Sequence, residues 1–237
     1  IEHITSLNIN SKNIESLEGI KAFLSLTELD CSNNYLNELD VSNMVNLEDL
    51  YCGSNYFLTN NPSNPNGVLN TTGTISLAKL ICSNNNLSDL DIVFNTNLEE
   101  LDCSNNNLTH LDISNNHNLI DVNCNSNKIA SLTSHTIDNN TLKIMSCYNN
   151  DLSALAVNRY LALTSLNCSS NVLTQLNITS NTSLEILDFS DNDLANINLS
   201  GKTNLIYVSG SQNQLTNIND LVAPFLESLI MDNNQIS

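Results

Sequence analysis

Seven cysteines share one local frame in this chain. Near-copies of LDCSNNNL (101–108) recur as LDCSNNYL at 29–36, LICSNNNL at 80–87 and LNCSSNVL at 166–173. Thiols in a repeated frame could pair as disulfides, ligate a metal, act as a nucleophile, or pack as small apolar side chains. Each chemistry asks for a different arrangement, so the elements that carry the cysteines decide among them.

Aligned on the leucine that opens each copy, the chain divides into eleven units. They start at Ile4, Leu26, Leu47, Leu77, Leu98, Leu119, Leu142, Leu163, Leu184, Leu205 and Leu226, the last cut short. Most starts lie 21 residues apart, as Leu77 and Leu98 do. The consensus is L-x-x-L-x-C-x-x-N-x-L-x-x-L-D/N-I-x-x-N-x-x. Alternation at L-x-C predicts a short strand with one face inward. The ninth place holds Asn34, Asn55, Asn85, Asn106, Asn127, Asn150, Asn171, Asn192, Asn213 and Asn234, with Lys12 in the first unit. Asn turns the chain, and its amide can donate two hydrogen bonds to otherwise orphaned carbonyls. Stacked Asn side chains therefore predict a ladder at the bend. The later L-D/N-I segment brings apolar side chains in from the opposite side. No unit buries its own apolar face, so neighbours must stack, and residues 1–237 read as a single repeat domain.

The cysteines Cys31, Cys52, Cys82, Cys103, Cys124, Cys147 and Cys168 all take the sixth place. Ile9, Phe189, Gly210 and Met231 stand there in the other units. Mostly apolar substitutes mark the place as core, where free Cys packs as a small hydrophobe and burial makes its thiol inert. Neighbouring strands about 4.8 Å apart would put adjacent cysteines within disulfide reach. In-register side chains point the same way, which suits the disulfide dihedral poorly, and an odd count leaves one thiol free. No C-x-x-C or Cys/His cluster offers metal-ligand spacing, and a nucleophile needs exposure and a base. The reading is buried free thiols with a structural role, with disulfides the main alternative. His3, His110, His117 and His135 share no frame and read as surface polar residues.

This pattern resembles the leucine-rich-repeat (LRR) proteins of the bacterial, internalin-like kind. The likeness covers residues 4–236. The opening unit, ITSLNINSKNIESLEGIKAFLSL, is similar to the first repeat of secreted bacterial members, and C-S-N-N followed by L-D-I-S resembles exported arrays. The resemblance implies an α/β-type repeat solenoid, mostly β: a right-handed horseshoe with a concave parallel sheet and short extended or 3₁₀ segments outside. It also implies a secreted or cell-surface, non-enzymatic scaffold that binds a protein or glycan. A structural spacer or stalk that presents other domains is the rival reading.

Composition narrows function further. A formal charge of −18 argues against nucleic acid and anionic membrane surfaces. No apolar run approaches the roughly 20 residues of a membrane span. No catalytic or phosphate-binding motif is present, and no cofactor is expected. Stacked Asp residues on so acidic a chain leave loose Ca²⁺ binding as an alternative. The chain opens inside the pattern (IEHITSLNI) and stops inside it (LIMDNNQIS), which reads as an excerpt of a longer precursor.

The sheet face is assigned to places two, three, five, seven and eight. In units two to six its acids are Glu28, Asp30, Glu48, Asp49, Glu99, Glu100, Asp102 and Asp121, with Lys79 the sole base. Tyr51 lies among them. These acids and Tyr51 form the candidate binding site for a cationic or hydroxylated partner, against the plainer reading of a solvated surface. An insertion loop, 58–68, interrupts the third unit beside them, and loops on a rigid scaffold often carry function.

Overall fold

The computed structural model describes residues 3–57, 69–218 and 221–236. Eleven three-residue strands form one parallel sheet in chain order. They are Ser6–Asn8, Glu28–Asp30, Asp49–Tyr51, Lys79–Ile81, Glu100–Asp102, Asp121–Asn123, Ile144–Ser146, Ser165–Asn167, Ile186–Asp188, Tyr207–Ser209 and Ser228–Ile230. Pairing is in register throughout, so the middle residues Leu29, Leu50, Leu80, Leu101, Val122, Met145, Leu166, Leu187 and Val208 line up. Each is at most 1% exposed. Their flanking residues, at the third and fifth places, face outward, as the two-residue period of a strand requires. At the end of the stack Leu229 is 41% exposed, because among the described residues no further coil packs on it.

Each strand ends in a bend built by short polar residues. The eighth place takes left-handed backbone in every coil, from Ser11 and Asn33 through Asn105 to Gln212 and Asn233, with φ between 51 and 57°. Short polar residues tolerate that region best among those with a Cβ. The fifth-place side chain closes the same bend. Asp30 Oδ1 accepts the N–H of Ser32 at 3.1 Å, Asp102 Oδ1 that of Ser104 at 3.0 Å, and Asp188 Oδ1 that of Ser190 at 3.0 Å. The seventh and eighth places thus build the turn and do not extend the sheet.

The ninth-place Asn residues tie coil to coil. Nδ2 of Asn106 donates to the carbonyls of Cys82 (3.1 Å) and Cys103 (3.0 Å), while its Oδ1 accepts the N–H of Leu87 at 3.0 Å. Asn127, Asn171, Asn192 and Asn213 repeat this pattern one coil at a time. Each side chain satisfies backbone groups that the bend would otherwise orphan in the interior.

Opposite the sheet the chain is nearly all turn. Two short parallel pairs, Leu39–Asp40 with Leu69–Asn70 and His110–Asp112 with Ser131–Thr133, and one 3₁₀ turn at Ile20–Ala22 are the regular pieces among the described residues. A second buried polar column runs there at the nineteenth place. Asn95, Asn116 and Asn181 are at most 1% exposed. Asn116 Nδ2 donates to the carbonyls of Ile92 (3.0 Å) and Asn95 (2.8 Å), and Asn181 Nδ2 to those of Val157 (2.9 Å) and Tyr160 (2.7 Å).

Candidate binding face

The outward third-place residues of coils two to six form a single in-register column: Glu28, Asp49, Lys79, Glu100 and Asp121. Glu48 and Glu99, at the second place, border it, and both are exposed. Tyr51, half-buried, stands opposite Asp30 on one side and Ile81 on the other. The sheet register therefore brings six of the acids and Tyr51 onto one face, and Glu48 and Glu99 adjoin it in the chain. The 58–68 insertion lies outside the described residues.

These groups are not equivalent. Asp30 and Asp102 each commit one oxygen to the bend. Asp30 also accepts from Asn8 Nδ2 at 3.1 Å, and Glu28 accepts from Ser6 Oγ at 3.1 Å. Glu100 holds Lys79 at 2.5 Å. Lys79 has its pKa raised by that bond, so it stays charged and covers one acid of the group. Asp121 has its carboxyl pushed above the ordinary range, first by burial and then by the charges of Glu100 and Asp102. Tyr51 is likewise raised, first by burial, with Lys79 opposing and Asp49, Glu28 and Glu100 adding. The acids of the face thus outnumber its one base, and Lys79 offsets Glu100 alone. Among the described residues no group of three or more His, Cys, Asp or Glu is arranged to hold a metal, and no helix is long and apolar enough to cross a membrane.

No family model and no curated protein sequence matches the chain. Solved structures do. The functional domain of InlJ from Listeria monocytogenes, described as including a cysteine ladder, is 33% identical over 91% of this chain, at a TM-score of 0.77. The chain is an internalin-like leucine-rich-repeat protein. It spans 46% of the InlJ structure, less than half. The internalin InlF from Listeria monocytogenes is 21% identical, covering 99% of this chain and 82% of its own, at a TM-score of 0.56. The Arabidopsis receptor kinase HAESA, solved with the peptide hormone IDA and the co-receptor SERK1, is 20% identical. Its TM-score is 0.71, over 98% of this chain and 42% of its own. At such identities the last two share the fold.

In this leucine-rich-repeat protein all seven cysteines are free and buried. Burial pushes the thiols of Cys31, Cys124 and Cys168 up to about 12, and those of Cys52, Cys103 and Cys147 well above the ordinary value. A thiol so shifted stays protonated at neutral pH and does no nucleophilic chemistry.

Three features of this leucine-rich-repeat protein escaped the sequence reading. The nineteenth-place Asn stood in the consensus, yet its role as a second ladder was not drawn from it. Tyr35 and Tyr56 stack at 5.6 Å on the flank, one residue short of where the third unit departs from the period. His135 is not a surface residue: it is 3% exposed, tilted against His117 at 4.6 Å and edge-on to Tyr160 at 5.5 Å. Its coil is two residues longer than most, which carries the ring inward, and histidine's tolerance of either environment left no sign in the sequence.

Proposed function

We propose that this chain is a non-enzymatic recognition scaffold that binds a protein partner on its sheet face, centred on coils two to six. The observation that carries the reading is the in-register acidic column from Glu28 to Asp121, which a rigid sheet holds at fixed spacing. Rigid presentation lowers the entropy lost on binding. HAESA, which shares the fold, is solved with a peptide hormone and a co-receptor, and this supports a polypeptide partner. The internalin likeness supports a secreted or cell-surface setting.

The excess of acids on this face speeds encounter with a basic partner more than it tightens the complex, and salt screens it. The test is capture of surface proteins and a glycan array on the immobilised chain, followed by Glu99→Gln with Glu100→Gln. The control is Glu15→Gln with Asp151→Asn, off the face. Loss in the first pair alone, with binding weakened by salt, supports the reading. Equal loss in both pairs, capture of glycans only, or no partner at all, as a spacer would give, overturns it.

A further inference from the structure

The outward third-place column changes character at one step. Up to coil six it reads Glu28, Asp49, Lys79, Glu100 and Asp121. From coil seven it reads Ile144, Ser165, Ile186 and Tyr207. Asp121 and Ile144 are direct register partners, so acid and apolar halves meet without a gap. Ile144 is 42% and Ile186 45% exposed. Ile120 and Ile206, at the second place and more than a third exposed, widen the apolar half on the same face. Ile120 lies against Ile144, whose N–H donates to its carbonyl at 3.1 Å.

An outward isoleucine in a strand is ordinary by itself, because β-branching suits extended backbone. Propensity does not explain why Ile144, Ile186, Ile120 and Ile206 share one face, nor why they begin where the acids end. Exposed apolar side chains gathered on one face beside charge mark a contact site; here Ile120 with Ile144, and Ile186 with Tyr207, stand on either side of Ser165. Around the apolar half stand Lys143, Glu185, Asp188 and Glu227, one base against three acids, so its charge is sparser than that of coils two to six.

We propose that this two-part face takes one polypeptide segment with Lys or Arg at one end and aliphatic or aromatic residues at the other, laid across the strands. The proposal rests on the reading of the sheet face as protein-binding and adds the chemistry of the partner. Charge complementarity fixes the basic end on coils two to six, where six acids share the face with Lys79 and Glu48 and Glu99 adjoin it. The apolar end then covers Ile144, Ile186 and Tyr207. From coil two to coil ten the face is about 40 Å long, the reach of about 12 extended residues.

A displayed random-peptide library, long enough to cross the face, is selected on the immobilised chain. Enriched peptides should carry a basic block and a separate apolar block. The dissociation constant of one such peptide is then read by fluorescence anisotropy against three double variants. They are Ile144→Thr with Ile186→Thr, Glu99→Gln with Glu100→Gln, and Val45→Thr with Ile75→Thr at exposed outer positions. Threonine keeps the β-branch, and unchanged melting verifies the fold. Each sheet-face pair should weaken binding about tenfold and the outer pair less than about twofold, the contrast between contact centre and uninvolved surface. Mixed or single-character peptides, or an isoleucine pair within about twofold of the parent, would overturn the inference. If only the acid pair matters, the sheet-face reading stands and this inference falls. No enrichment, or loss in neither sheet-face pair, counts against both.

Discussion

Phe189 occupies the space that a side chain on Gly210 would need. Both take the sixth place, in successive coils, and a Cβ built on Gly210 would overlap Cε2 and Cζ of Phe189 and lie 2.9 Å from Sδ of Met231. A large residue in one coil is matched by none in the next. Restoring the repeat with Gly210→Cys should therefore destabilise, by about 1–3 kcal/mol for an overpacked core. Phe189→Cys should cost about 3 kcal/mol through the void it leaves. The double variant should cost less than the sum, with coupling of about 1–3 kcal/mol, read by denaturant unfolding. Additive losses would show that the two residues do not share the space.

The cysteines give a second expectation. With every thiol buried and protonated, folded protein should take almost no alkylating label over an hour at neutral pH. Denatured protein, with no reductant added, should take seven. Mass spectrometry counts the labels. Fewer than seven after denaturation would reveal disulfides, and fast labelling of the folded form would contradict the burial.

The ladder predicts a positional effect. Asn106→Ala removes the acceptor of the Leu87 N–H in the interior and should cost about 1–3 kcal/mol. Asn234 makes the same kind of bond to the Leu215 N–H, at 3.0 Å, but is half-buried at the end of the stack. Its replacement should cost clearly less, because water can reach the freed groups. Equal losses in the two variants, measured by thermal melting, would remove the ladder from the account.

The fold was readable because one period was imposed on nearly every coil. Leu101, Cys103 and Asn106 each have one task, and their types state it: apolar inward, small and buried, amide at the bend. The face was readable less fully. Asp102 and Glu100 look alike as letters, yet one closes a bend through Ser104 while the other holds Lys79 in the open. Only the backbone path distinguishes them. The isoleucines of coils seven to ten were passed over for a related reason. A strand favours isoleucine on either side, so the residue type alone does not say which side it faces.

His135 supports the last expectation, on pH. Its ring is 3% exposed, and it lies by the carbonyls of Ile113 and Asn116. These are equivalent to the carbonyls that Asn116 itself meets one coil earlier, on Ile92 and Asn95. Neither ring nitrogen makes a hydrogen bond of good geometry. Burial lowers the pKa of His135 below its ordinary value, and the nearby His117 lowers it further, while the two carbonyls oppose this weakly. The unfolded chain therefore takes up the proton first as pH falls. Stability from this group is complete above about 6.5, the ordinary histidine value, and is lost as pH drops below it through the depressed folded value. Melting temperature should fall between pH 7.5 and 5. His135→Asn removes the titrating ring and offers an amide to the same carbonyls, so its melting temperature should fall less over that interval. Asp121, with its raised carboxyl, pulls the other way and is common to both proteins, so the difference between them isolates His135. An equal fall in parent and variant would assign the acid sensitivity to another group.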